Sequence, residues 1–154
     1  RPYPCYNRVI AKCEKEVYAM TVQIEELLKA FELNNPYLKF YLNKNDGHMA
    51  LVTEIPGDDK AENEVTAHPD AYIKLPTQAD LDLPEMIKGF VPMMKDPKQR
   101  AAFQQSIEAG KTVTQLEREL KDMGLVQFWY TFQRMEFRKI AKKWCEDNHI
   151  DYEE

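Results

Sequence analysis

The chain has 154 residues, of which 44% are hydrophobic and 31% charged, and its formal net charge is −5. That length suits one domain, or two packed subdomains, and buries about two-thirds of the unfolded surface. No apolar run approaches the ~20 residues needed to span a bilayer. The acidic balance excludes coating nucleic acid with the whole surface and leaves room only for a local basic patch.

In chain order, Tyr6, Ile10, Cys13, Val17 and Met20 recur at spacings of three and four, and Ile24, Leu27, Leu28 and Phe31 continue the pattern. The spacing predicts one long helix or two consecutive ones, ending near Asn34-Asn35-Pro36, where proline turns its predecessor away from helical angles. Tyr37-Leu38-Lys39-Phe40-Tyr41-Leu42 is rich in strand formers, and His48-Met49-Ala50-Leu51-Val52-Thr53 answers it across Asn43-Lys44-Asn45-Asp46-Gly47. Asp46-Gly47 supplies the positive backbone angles of a tight hairpin. A lone hairpin is marginal in water, and Ala71-Tyr72-Ile73-Lys74-Leu75 is the available third strand.

Between these strands, Pro56-Gly57-Asp58-Asp59-Lys60-Ala61-Glu62-Asn63-Glu64 is acidic and short of large apolar residues. It is expected to be a solvated, mobile loop near residues 56–68. Leu83-Pro84 opens a helix bearing Met86, Ile87, Phe90 and Met94, which Pro92 kinks or shortens. Asp96-Pro97 starts another, carrying Phe103 and Ile107 and stopping at Gly110.

The last quarter is the most legible. Thr112 and Gln115 match the reciprocal capping pattern, Val113, Leu116, Leu120 and Met123 follow at helical spacing, and Gly124 stands where a left-handed C-terminal residue is needed. After Leu125 an aromatic helix runs to Asn148 without Gly or Pro, and so short a link predicts an antiparallel helical hairpin. At about 100° per residue, Phe132, Trp129, Ile140, Gln133, Trp144, Phe137 and Tyr130 share one broad face. Residues 1–154 are thus expected to form one α+β domain, mostly helical, with a small antiparallel hairpin or three-stranded sheet.

This order of elements resembles an uncharacterised bacterial protein family of UPF type. The resemblance covers roughly residues 22–150 and rests on several groups of residues. They are Tyr37, Tyr41, Leu42 and Gly47 of the hairpin, Met86-Ile87 with Phe90, Asp96-Pro97 with Arg100, and Gly124-Leu125 leading to Trp129-Tyr130, Phe132 and Trp144. The chain departs from the family pattern at Leu116, where an aromatic is usual, and at Lys44-Asn45, where the turn is usually more acidic. The resemblance implies no substrate, cofactor or catalytic residue.

The sharpest surface feature is on the last helix. Arg134, Arg138 and Lys142 sit four apart and are expected to form one exposed stripe beside the aromatic face, with Lys139 and Lys143 flanking the opposite edge of the helix, so residues 134–143 hold five cations against one anion, Glu136. A stripe of Arg134, Arg138, Lys139 and Lys142 suits phosphates, with counterion release supplying affinity, or an acidic partner protein. The bland account is a solvated helix face whose cations favour the negative helix end or pair with Glu146, Asp147, Asp151, Glu153 and Glu154. The aromatics Phe128, Trp129, Tyr130, Phe132, Phe137 and Trp144 are the residue types that stack nucleobases, but at helical spacing they read as core.

Cys145 and His149, four apart and near Asp147 and Asp151, are half of a zinc-type ligand set with no second pair. The three cysteines, Cys5, Cys13 and Cys145, read as free thiols of a reducing cytosol. His48 beside the turn is an exposed residue of the type that titrates near neutral pH. The carboxylate pairs Asp58-Asp59 and Asp80 with Asp82 have nothing to raise a pKa. No phosphate-cradling glycine loop is present, since five glycines stand singly. The expectation is a non-catalytic cytoplasmic binding or regulatory protein without cofactor or metal. Its rival is a nucleic-acid-associated protein using the basic stripe.

Overall fold

The computed structural model describes residues 21–33 and 35–154. The chain is α+β and mostly helical, and its contacts fall into two compact units. One holds the described residues up to Thr77 together with Ala141–Glu154, and the other is Gln78–Ile140. The expected helical positions from Tyr6 to Met20 lie outside the described residues.

In the first unit, strand β1 (Thr21–Gln23) leads directly into helix α1 (Ile24–Leu33). Residues 21–23 of the expected helical run are therefore strand, and helix α1 begins at Ile24. Strand β5 (Asp151–Glu153) pairs with β1 in parallel, Val22 opposite Tyr152, and Gln23 Nε2 donates to Glu153 at 2.8 Å. Residues that read as an acidic tail thus complete a small sheet. Helix α1 buries Ile24, Leu27, Leu28 and Phe31, the stripe that its spacing predicts, and Ala30 beside them.

Strands β2 (Leu38–Asn43), β3 (Met49–Thr53) and β4 (Tyr72–Lys74) form an antiparallel sheet in the order β3-β2-β4, with Leu42 opposite both Met49 and Ile73. The hairpin is wider than a two-residue turn. Asn43 N–H donates to His48 O at 2.8 Å, enclosing residues 44–47, and of Asp46 and Gly47 only Gly47 takes a positive φ, +78°. Two short side-chain turns, Asn43 Oδ1 to Asn45 N–H and Asp46 Oδ1 to His48 N–H, hold this wider loop.

The acidic segment is not an irregular loop. Helix α2 (Lys60–Ala67) occupies its middle, packs on β3 and buries no residue of its own. Lys, Ala and Glu are good helix formers, and their propensity outweighs the scarcity of apolar residues.

In the second unit, the one-turn helix α3 (Gln78–Leu81) precedes α4 (Leu83–Phe90), capped by Asp82 at a left-handed φ of 48°. Pro92 shortens α4 into a 3-10 turn over Val91–Met93. Helix α5 (Pro97–Glu108) starts under the Asp96 cap, whose carboxylate accepts from Lys98 N–H at 2.9 Å. Helix α6 (Val113–Asp122) carries the full capping box: Thr112 Oγ1 accepts from Gln115 N–H and the Gln115 amide accepts from Thr112 N–H.

Helix α6 ends in a Schellman motif. Leu125 N–H reaches Leu120 O at 2.8 Å and Gly124 N–H reaches Lys121 O at 3.0 Å, with Gly124 at φ +74°. Helix α7 (Val126–Asp147) then begins at once. The core of the second unit is Ile87, Phe90, Val91, Met94, Phe103, Leu116, Leu120 and Trp129. Phe90 meets Trp129 edge-on with ring centres 5.8 Å apart, a favoured aromatic geometry.

Candidate functional site

Burial along α7 falls on Trp129, Phe137, Ala141 and Cys145, at spacings of eight, four and four. Trp129 and Phe137 are core, as expected. Phe132 and Trp144 are half-buried. Phe128 and Tyr130 depart from the core reading: they are 66% and 44% exposed. Aromatic character alone does not decide burial. Phe128 stands one residue, about 100° of helix, away from Trp129, and that step takes it out of the core.

Phe128, Thr131, Met135 and Lys139 follow one another at spacings of three, four and four, so they share one outward edge of α7. Met135 is 57% exposed, and Arg138 lies beside it at the next helical step. The expected stripe is therefore not purely cationic: an exposed phenyl and thioether continue it toward the helix start.

The cations themselves are not a bare row. Lys139 Nζ lies 3.0 Å from Glu136 Oε1, Lys143 Nζ lies 2.9 Å from Asp147 Oδ2, and Lys142 pairs with Glu154. Arg134, Arg138 and Lys142 are half-buried, and neither arginine is free of partners. Arg134, Arg138 and Lys139 belong to the second unit and Lys142 to the first. Pairing with the acidic C-terminus, one of the two bland accounts of the stripe, thus applies to Lys142 and Lys143.

A second cluster lies wholly in the first unit and joins residues far apart in sequence. His48 Nδ1 is 2.6 Å from Asp46 Oδ1, His48 Nε2 is 3.2 Å from the Tyr72 hydroxyl, and that hydroxyl donates to Glu64 Oε1 at 2.6 Å. The hairpin turn positions Asp46 and His48, α2 presents Glu64 and β4 presents Tyr72. The imidazole stands edge-on to the Tyr72 ring with centres 5.8 Å apart. The His48 backbone N–H, foremost, holds the Asp46 carboxyl below the usual range; burial opposes it, and the His48 side chain adds to the lowering. The hydrogen bond to Glu64, followed by burial, raises the Tyr72 phenol. His48 was visible in the sequence; Tyr72 and Glu64 were not, because spacings of 24 and 8 residues carry no periodic signal.

Cys145 and His149 have separate structural duties. Burial, then the Glu146 charge, push the Cys145 thiol up to about 11. His149 takes a φ of 56° and closes α7 in the Schellman pattern, with Ile150 N–H reaching Cys145 O at 2.8 Å. Among the described residues no group of three His, Cys, Asp or Glu side chains is placed to hold a metal ion, and no helix is long and apolar enough to cross a membrane. Each unit has a shallow cleft. That of the first is lined by Glu146, His149 and residues of β5, and that of the second by Leu81, Met86 and Phe132 together with Asp82, Glu85 and Glu136.

No curated protein and no solved structure matches the chain. A family model does match it, over residues 17–153, and by that match the chain belongs to the uncharacterised protein family UPF0158.

Proposed function

We propose that this is a non-catalytic binding or regulatory protein of the bacterial cytoplasm, and that the outward edge of α7 takes an acidic protein partner. The observation that carries the reading is the exposure of Phe128 and Met135, 66% and 57%, on the same edge as Arg138 and Lys139. Single exposed apolar residues are ordinary. Two large ones seven residues apart, continued by cations, make an edge that combines buriable area with charge. Covering such a side chain is worth about 1.5–3 kcal/mol. The exposed Lys139–Glu136 pair is worth about 0–1 kcal/mol, so exchanging Glu136 for a partner carboxylate costs little. The buried thiol of Cys145 suits a reducing compartment.

Two double variants test the reading, F128A/M135A and R138E/K139E, used beside the unmodified chain in affinity capture from the native cell and followed by binding measurements with the purified captured protein. The expected result is one acidic partner whose affinity falls at least tenfold in both variants. A partner that binds both variants as well as the unmodified chain would overturn it. So would tight, steeply salt-dependent binding to generic RNA or DNA at physiological salt, the behaviour of a phosphate reader.

A further inference from the structure

The side-chain cluster around Tyr72 has a proton count that its geometry fixes. Tyr72 has one hydroxyl proton, and it is committed to Glu64 across the short 2.6 Å contact. Toward His48 the Tyr72 oxygen therefore accepts, and Nε2 must carry a proton. On the other side of the ring, the Asp46 carboxylate only accepts, so Nδ1 must carry a proton too. A neutral imidazole has one N–H and satisfies one of these two contacts, never both. The 2.6 Å Nδ1···Oδ1 separation has the length of a charge-assisted bond.

We propose that this cluster is a proton-operated clasp: doubly protonated His48 ties the β2–β3 turn to β4 and α2, and loss of one imidazole proton opens the His48–Tyr72 link. The longer contact gives way, 3.2 Å against 2.6 Å on either side of it. Deprotonated His48 keeps Nδ1–H on Asp46, while Tyr72 stays with Glu64. Among the described residues, the titratable groups that face His48 are Asp46 from the turn, Tyr72 from β4 and, behind it, Glu64 from α2. Asp46, held ionised, and Tyr72, held as the phenol, do not change charge where imidazoles titrate, roughly pH 5–8. The clasp involves no residue of α7, so it stands or falls independently of the partner-binding edge.

The experiment is a pH titration by nuclear magnetic resonance of the full chain, labelled with carbon-13 at the tyrosine Cζ and nitrogen-15 in the histidine ring. The expected result is that the Tyr72 Cζ signal shifts with the same midpoint as the His48 ring nitrogens, and that H48Q abolishes this shift. A His48 ring that titrates while Tyr72 Cζ stays still would overturn the proposal, as would a shift that persists in H48Q. The titration of the unmodified chain decides the matter by itself if H48Q does not fold.

Discussion

The indole Nε1 of Trp129 donates to Glu117 Oε1 at 3.0 Å, linking the two helices of the terminal hairpin through the only polar atom of a fully buried side chain. Trp129 belongs to the second unit's core and forms a triangle of rings with Phe90 and Phe132, their centres 5.7–6.1 Å apart. The two roles separate by substitution. Trp129→Ala removes the largest core side chain and is expected to cost about 3–5 kcal/mol. Glu117→Ala strands a buried N–H and is expected to cost about 1–3 kcal/mol. Glu117→Gln keeps an acceptor oxygen and should cost less than Glu117→Ala. Urea unfolding of the three variants orders them, and an E117A variant as stable as the parent would show that the indole finds another acceptor.

His149 is a different case, since the residue is not the best one for its place. It holds the left-handed position that closes α7, the position filled by Gly110 after α5 and Gly124 after α6. For a residue with a Cβ that conformation costs about 1–2 kcal/mol, partly offset because glycine gives up more freedom on folding. His149→Gly is therefore expected to stabilise the protein by about 0.5–1 kcal/mol, and Gly124→Ala to destabilise it by about 1 kcal/mol. Thermal melting reads both. Destabilisation by H149G would mean that the imidazole makes a contact worth more than the backbone strain.

These two relationships also mark how far the sequence alone reaches. Thr112 with Gln115, Asp96-Pro97, Gly110 and Gly124 are local signals, each complete within a few residues, and each helix end stands where they place it. The hairpin and its third strand were equally legible, because Ala71 to Leu75 is bounded by its own turn and by Pro76. The β1–β5 pairing was not: an alternation of three residues is too short to stand out, and the partners lie 130 positions apart. Helix α2 was hidden because sparse apolar content resembles disorder, although Ala, Glu and Lys carry helix propensity. For the basic stripe, helical spacing aligns Arg134, Arg138 and Lys142, but nothing local announces that all three are half-buried, that Lys142 meets Glu154 or that Phe128 faces outward.

Cys145 should behave as an inert thiol. Burial first, then the neighbouring Glu146 charge, raise it from the ordinary 9.0 to about 11, and only the thiolate attacks electrophiles. At pH 8 about one molecule in a thousand carries it. Iodoacetamide labelling of the Cys145 peptide, read by mass spectrometry, is expected to be at least ~100-fold slower in the folded protein than in urea. The sign in alkali follows from the same shift. A raised thiol contributes stability that is whole below pH 9 and lost as pH rises toward 11. Cys145→Ala should flatten that alkaline decline while lowering stability at neutral pH, and labelling as fast in the folded as in the unfolded chain would refute the burial argument.

Asp46 gives the opposite sign. The His48 backbone N–H holds its carboxyl below the ordinary 3.8, with the His48 side chain adding to the effect. A lowered carboxyl contributes stability that is present above pH 3.8 and lost as pH falls through the folded value, because the folded state then has to take up a proton it resists. Asp46→Asn carries no titratable proton, so the difference in unfolding free energy between parent and variant should shrink as pH falls below 3.8. Every other carboxylate is common to both chains and cancels in that difference. The magnitude is small, since the Asp46 side chain is 61% exposed and water screens it. Urea unfolding at several pH values between 2.5 and 6 measures it, and a difference that grows in acid would place the stabilising interaction on the protonated form instead.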